Sequence, residues 1–314
     1  MTNARDNSTV LLDEGIADMD VKRETITVPD GREIEFVTGG PAGGMPLVLH
    51  MGSPVGLVLF WPMVEAAAQR GLRCVFAARP GYEGSTPRPG RRVADVTADT
   101  AAVLDALGAG QFVTLGWSGG GPHALACAAL LPGRCRAAVT IACTAPYGSP
   151  GLDWLAGMGP ENAEGFTIAR AGDPRHTDLL TEAAGAVRAV TGEQVITAFG
   201  GVIDEADKAV LTGEFANYLA ATLRTAVRNG IAGWHDDEQA VVGEWGFAPD
   251  DPAMRPVAIW HGDQDRMVPC AHGEWLARQV TGARARLVPG EGHLSLVATK
   301  TGDILDDLTD MAGL

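Results

Sequence analysis

Short apolar runs with almost no polar alternation recur along the chain: PLVLH at 46–50, RCVFA at 73–77, FVTLG at 112–116, AAVTIAC at 137–143, PVAIW at 256–260 and a last run at 285–288. Runs of this length without a polar face predict strands of a parallel sheet covered on both sides. Between them lie stretches with helical spacing, at 56–69, 93–107, 119–131, 271–280 and 298–312. The alternation predicts a doubly wound α/β core. Ahead of it, 24–29 and 33–38 are β-rich pieces joined through Asp30-Gly31, a strong hairpin signal.

The rhythm stops after Cys143. From 145 to 252 no convincing strand is present, and Ala-, Leu- and Glu-containing stretches predict helices near 161–171, 176–190, 192–199, 204–211 and 213–229. The expected organisation is therefore a core from 23–144 and 253–314, interrupted by a helical insertion at 145–252. Residues 1–22 are polar and aperiodic and are expected to form a loose extension.

Three segments that follow core strands carry chemically useful residues. GWSGGGPH (116–123) comes straight after one apolar run and opens a helical stretch. Within it Gly116-Trp117-Ser118-Gly119-Gly120 matches G-x-S-x-G, in which a nucleophile occupies a strained turn and its neighbours two positions away must be small. The N–H of Gly119, at the start of the following helix, would then face an oxyanion above Ser118. HGDQDR (261–266) follows the strand PVAIW with two carboxylates, and GEGH (290–293) follows the last apolar run with a histidine. The order Ser, Asp, His, each at the carboxyl end of a predicted parallel strand, places all three on the edge where open α/β sheets bind ligands.

No Lys-Ser or Lys-Thr follows the glycines at 119–121, and no G-x-G-x-x-G follows the first strand of a β-α-β unit, so no nucleotide cofactor is expected. An Asp-x-Asp metal site at 263–265 with His261 lacks further ligands nearby in the sequence, and no metal is expected either. Charge narrows the partners. The formal net charge is −15, which disfavours nucleic acid and anionic membrane surfaces. Residues 151–250 hold 16 acidic and 6 basic side chains, expected mostly as a solvated face that would repel a strongly anionic substrate. The five cysteines are scattered without a C-x-x-C pair and read as buried free thiols. No secretory leader is apparent, and no apolar run approaches the roughly 20 residues that span a bilayer. The expected setting is cytoplasmic, the expected partner a small-molecule substrate, and a homodimer is left open.

These segments closely resemble the α/β-hydrolase superfamily from about residue 24 onward. GWSGGG is similar to the family's nucleophile elbow, LHMGSP (49–54) to its oxyanion-loop H-G motif, RPGYEGST (79–86) to its R-P-G-x-G-x-S segment, GDQDRMVP (262–269) to its acid loop and GEGH to its histidine loop. The resemblance implies a sheet of about eight mostly parallel strands with a helical cap inserted after the sixth. It assigns Ser118 as nucleophile, His293 as general base and acid, and Asp265, by the register G-x-x-D, as the residue that orients His293, in preference to Asp263. The oxyanion donors would be Gly119 and either Ser53 or Gly52, with Ser53 preferred. The ambiguity arises because Met51 interrupts the family's H-G pair. A frequent aspartate two residues before Pro80 is here Ala78. His50 is expected as a structural residue, His123 as packed or solvated, and His272 as a surface residue beginning a helix.

The expected activity is cleavage of a carboxylic ester, lactone or thioester of a small, largely apolar substrate through an acyl-enzyme. Trp117 and Met51 are expected to wall the pocket. Two or three of Trp154, Phe166, Phe199, Phe215, Tyr218, Trp234, Trp245 and Phe247 are expected to roof it. The rivals are an aminopeptidase similar to proline iminopeptidases, in which the acidic run His235-Asp236-Asp237-Glu238 would grip an amine, and a carbon–carbon bond hydrolase with the same three residues. A ligand receptor of the same fold is the non-enzymatic alternative. Epoxide hydrolase and haloalkane dehalogenase chemistry is disfavoured, because both need a carboxylate where this chain has Ser118.

Overall fold

The computed structural model describes residues 20–314, so nearly all of the expected N-terminal extension lies outside the described residues. The chain opens with β1 (Lys22–Thr27) and β2 (Glu33–Gly39), antiparallel and joined by the predicted Asp30-Gly31 turn, with Gly31 at φ +85°. It continues through β3 (Met45–His50), α1 (Trp61–Ala68), β4 (Leu72–Ala77), α2 (Val96–Ala106), β5 (Phe112–Trp117), α3 (Gly121–Leu130) and β6 (Cys135–Ile141). Six helices follow: α4 (Pro160–Ala171), α5 (Arg175–Val187), α6 (Val195–Phe199), α7 (Glu205–Val210), α8 (Gly213–Ala226) and α9 (Ala232–Val242). Then come β7 (Val257–Gly262), α10 (Ala271–Gln279), β8 (Arg284–Val288) and α11 (Ser295–Ala312).

The eight strands form one sheet in the order β1-β2-β4-β3-β5-β6-β7-β8, parallel from β4 to β8. Alternation along each strand sorts side chains onto two faces. Leu47, Leu49, Val113, Leu115, Val139 and Ile141 pack on the side of α1 and α11. Val48, Phe112, Ala138, Val257 and Ile259 pack on the side of α2, α3 and α10. Both faces are apolar, which is why the strands read as continuous runs. Each fully buried Leu or Ile stabilises the core by roughly 1.5–3 kcal/mol relative to an exposed one.

Two helices, one histidine and one cysteine differ from the sequence reading. α1 starts at Trp61, five residues later than its apolar spacing suggests, because residues 51–60 form a loop and Pro62 occupies the first turn. That loop is pinned to α8: Gly56 N–H donates to the Thr222 carbonyl (3.1 Å), and Thr222 Oγ1 donates to the Gly56 carbonyl (2.9 Å). α9 has no counterpart among the predicted helices. Its buried face is Gly233, Asp236, Asp237, Ala240, Val241 and Val242, so polar residues occupy core-facing positions and the apolar period is lost. His272 is fully buried, not at the surface: its Nδ1 accepts from Ala145 N–H (3.0 Å) and its Nε2 faces the Trp154 carbonyl (2.9 Å). The four cysteines Cys74, Cys127, Cys135 and Cys143 are buried thiols, whereas Cys270 is half-buried. No helix among the described residues is long and apolar enough to cross a membrane.

Candidate active site

The parallel strands β3, β5, β6, β7 and β8 end along one edge, and the loops that leave it carry the residues singled out above. Ser118 follows β5 directly and lies at φ +55°, a left-handed conformation that costs a non-glycine residue roughly 1–2 kcal/mol. The flanking glycines are dictated by contact. A Cβ on Gly116 would come within 2.5 Å of the Gly120 carbonyl oxygen, and one on Gly120 within 1.8 Å of the His50 carbonyl oxygen. The turn is therefore pressed against the end of β3 and holds the serine out of the helix that follows.

His293 stands beside this turn. The indole of Trp117 donates to the His293 carbonyl (3.3 Å), and the two rings lie 5.9 Å apart. His293 Nδ1 is 2.8 Å from Asp265 Oδ2. Asp265 Oδ1 is held by the N–H groups of Met267 and Val268, each at 2.8 Å. Burial alone would push the Asp265 carboxyl up. The charge of His293 and hydrogen bonds from His261 and His293 outweigh it and hold the group well below the usual carboxylate range. For His293, burial opposes the cation, and the Asp265 charge and hydrogen bond overcome that and raise it above the ordinary imidazole value. Asp263, the competing carboxylate, is exposed and instead accepts from Gly290 N–H (2.8 Å). His261 Nε2 donates to the Val268 carbonyl (2.7 Å), and no group of three or more metal-ligating side chains converges among the described residues.

Gly52, Ser53 and Gly119 meet around Ser118. A Cβ on Gly52 would lie 3.3 Å from Ser118 Cβ and 3.6 Å from its Oγ, and one on Gly119 would lie 3.7 Å from Ser53 N. Neither Ser53 N–H nor Gly119 N–H has a hydrogen-bond partner among the described residues. Met51 and Trp117 are buried, in one apolar cluster with Phe60, Phe215, Tyr218 and Leu294. Phe60, which ends the loop after β3, packs at 4.9 Å from the Tyr218 ring and 5.3 Å from that of Phe215. Trp154 and Phe166 pack elsewhere, edge to face in a cluster of the insertion's own, and Trp245 and Phe247 pack toward the sheet's other face.

Two carboxylates of the insertion reach the loops of this edge: Asp237, considered from sequence only as part of an amine-gripping run, and Asp207, given no role from sequence. Asp237 of α9 is fully buried and receives Ser53 Oγ (2.6 Å), Tyr82 Oη (2.9 Å), Arg91 Nη2 (2.6 Å) and Arg79 through Nε and Nη2. Arg79 also donates to the carbonyls of Met51 (2.7 Å) and Gly52 (2.8 Å). Burial would raise the Asp237 carboxyl, but the two guanidiniums hold it far below its usual range. The remaining acids of the run 235–238 are engaged too. Glu238 accepts from Trp234 Nε1 (2.7 Å) and faces His176 Nε2 (2.7 Å), and His235 pairs with Asp236. Each of these side chains therefore already has a partner within the protein. The second carboxylate, Asp207 of α7, accepts from the N–H groups of His293 (3.1 Å), Leu294 (2.7 Å) and Ser295 (2.9 Å). In sequence it reads as an ordinary acid in the first turn of a helix, and nothing local announces the contact.

A strained serine on the strand-to-helix turn, a carboxylate-bound histidine beside it and a mostly parallel eight-stranded sheet define the hydrolase class of α/β enzyme. The family model of the alpha/beta hydrolase fold matches residues 45–297, and the chain belongs to that family. It is 28% identical over 272 residues to a non-heme haloperoxidase of Rhodococcus erythropolis, covering 85% of this chain and 92% of that protein. A non-heme chloroperoxidase of Streptomyces lividans is 32% identical over 124 residues, 39% of this chain, and the match spans just under half of that relative's length, 45%. Among solved structures, a thermophilic esterase from Thermogutta terrifontis superposes with a TM-score of 0.61 at 19% identity, over 93% of this chain and 99% of that one.

Proposed function

We propose that the chain is a serine hydrolase that cleaves a carboxylic ester, lactone or thioester of a small, largely apolar molecule through an acyl-enzyme. Ser118 Oγ attacks the carbonyl carbon as His293 Nε2 takes its proton, and the negative oxygen of the tetrahedral intermediate accepts from the Gly119 and Ser53 N–H groups. The imidazolium, stabilised by Asp265, returns the proton to the leaving alkoxide or thiolate as the carbon–heteroatom bond breaks. Water, deprotonated by His293, then attacks the ester on Ser118, and collapse of that second intermediate releases the acid and restores the serine. The observation that carries the reading is a left-handed Ser118 directly after Trp117, whose indole donates to the backbone of His293 (3.3 Å), the histidine whose Nδ1 is 2.8 Å from the buried Asp265 carboxylate. The apolar cluster of Met51, Phe60, Trp117, Phe215 and Tyr218 suits an apolar acyl or alcohol group.

A fluorophosphonate probe tests the site, followed by nitrophenyl esters of graded acyl length. The expected adduct is on Ser118, and Ser118→Ala should abolish both labelling and turnover. Labelling of another residue, or ester turnover that survives in Ser118→Ala, would overturn the assignment. The extent of the match to the Rhodococcus haloperoxidase favours one second reading, a halide-oxidising activity. Peroxide-dependent halogenation of a phenolic dye by the wild-type chain is its test.

A further inference from the structure

The three amides bound by Asp207 open α11. Leu294 precedes that helix as its N-cap residue and offers no capping side chain, and His293 lies one residue earlier. The first N–H groups of a helix have no acceptor within it, and a carboxylate there satisfies them and complements the helix dipole. Caps are usually supplied by a residue next to the helix. Here the cap comes from 86 to 88 residues earlier in the chain, out of the insertion. The approach is close enough to dictate the sequence of the loop: a Cβ on Gly292 would lie 2.5 Å from Asp207 Oδ1 and 2.6 Å from Asp204 Oδ1.

We propose that Asp207 is the positioning residue for His293, fixing the histidine's backbone from the insertion while Asp265 fixes its ring. This rests on the reading of His293 as the catalytic base. The division of work follows from the atoms. Asp265 reaches only the imidazole, so it sets the ring's tautomer and leaves the place of its Cα undetermined. Asp207 Oδ2 holds the His293 amide, and its Oδ1 holds the next two. The insertion is thereby part of the catalytic framework. Its carboxylate also adds negative charge near the imidazolium formed during turnover. The titratable groups around the pair are Asp265 and Asp207 facing His293, Asp204 facing Asp207, and His261 facing Asp265.

Asp207→Asn is the decisive variant, because it can keep the Leu294 and Ser295 hydrogen bonds while opposing the His293 N–H with an amide group. The expected result is kcat lowered about 10–100-fold, the scale of a displacement of up to an ångström, with KM little changed. The His293 titration, followed by NMR of its ring protons, is expected to move to lower pH. Asp207→Glu keeps the charge and shifts the oxygens, so kcat is expected to fall with the titration near its wild-type place; it also serves if the Asn variant does not fold. Glu205→Gln, exposed on the same helix, is the control and should behave as wild type. A folded Asp207→Asn with wild-type kcat and an unmoved His293 titration would overturn the proposal, as would a Glu variant whose titration drops to where loss of the charge would put it. If the wild-type chain hydrolyses no ester, the hydrolase reading is what fails, and the His293 titration in the two variants still decides whether Asp207 governs that side chain.

Discussion

Replacing Asp237 by asparagine tests how the loop that carries Ser53 is held. The carboxylate has no exposure and sits between two buried guanidiniums, with Ser53 and Tyr82 hydroxyls completing its hydrogen bonds. Removing one partner of a buried ion pair costs about 3–5 kcal/mol, because the other charge stays buried without compensation. Here two arginines would be stranded, so the upper half of that range applies, against a total stability of about 5–15 kcal/mol for a typical domain. Urea denaturation should give a lower midpoint at an unchanged slope. Arg91 contributes less than Arg79, since its Nε has no partner among the described residues and it touches neither Met51 nor Gly52. Adding Arg91→Met to Asp237→Asn removes one of the stranded charges, and the double variant should be less destabilised than the two single losses summed, by roughly 0.5–3 kcal/mol. Ester turnover should fall in both variants, because Arg79 then no longer fixes the Met51 and Gly52 carbonyls beside Ser53. Strict additivity, or a loss below about 1 kcal/mol for Asp237→Asn, would refute this account of the network.

Ser118→Gly should abolish ester hydrolysis yet raise stability by roughly 1 kcal/mol, since glycine tolerates the φ of +55° that strains serine; a calorimetric melt checks it. Asp265→Asn should lower kcat by up to about 10⁴-fold through the wrong tautomer of His293, while Asp263→Asn leaves the turnover of nitrophenyl acetate unchanged. Because His293 must be neutral to take the serine proton and its titration is raised above the ordinary imidazole value, kcat/KM should climb with pH along a limb above that value, read from a pH–rate profile. Burial pushes His272 down to about 4 and His50 to about 3 in the folded chain. An unfolded chain binds those protons near pH 6.5, so both contribute stability that is complete above that pH and lost progressively as pH falls toward 4; urea midpoints at pH 7, 5.5 and 4.5 should fall in that order.

The core was legible because its strands are buried on both faces. Leu47, Val113 and Val139 pack against one layer of helices and Val48, Ala138 and Ile259 against the other, so the runs show no polar alternation, and the threonines within them, Thr114 and Thr140, are themselves buried. Ser118 was legible for a steric reason: contacts at 1.8 and 2.5 Å leave only glycine for Gly120 and Gly116, and that demand writes itself into five consecutive letters. α9 was not legible. Its inward positions carry Asp236 and Asp237, and a helix that buries charge shows no apolar period. Neither could local spacing reveal Asp207, whose partners lie 86 and more residues away.

The acidity of the insertion takes on a different meaning once these contacts are known. Its sequence suggests a solvated face, and Asp178, Glu182 and Glu205 are indeed exposed. Yet Asp207 and Asp237 have no exposure at all and end on backbone or hydroxyl groups of the loops around Ser118 and His293. A buried carboxylate is tolerated only where donors replace its water, so these two positions tie the place of the insertion to the placement of the loops. Apolar packing alone would let α7 and α9 slide over the sheet edge at little cost. Directional hydrogen bonds to His293 N–H and Ser53 Oγ do not, because a shift of an ångström leaves a charge buried and unpaired. The geometry around the serine is thus fixed from above as well as from the strands below.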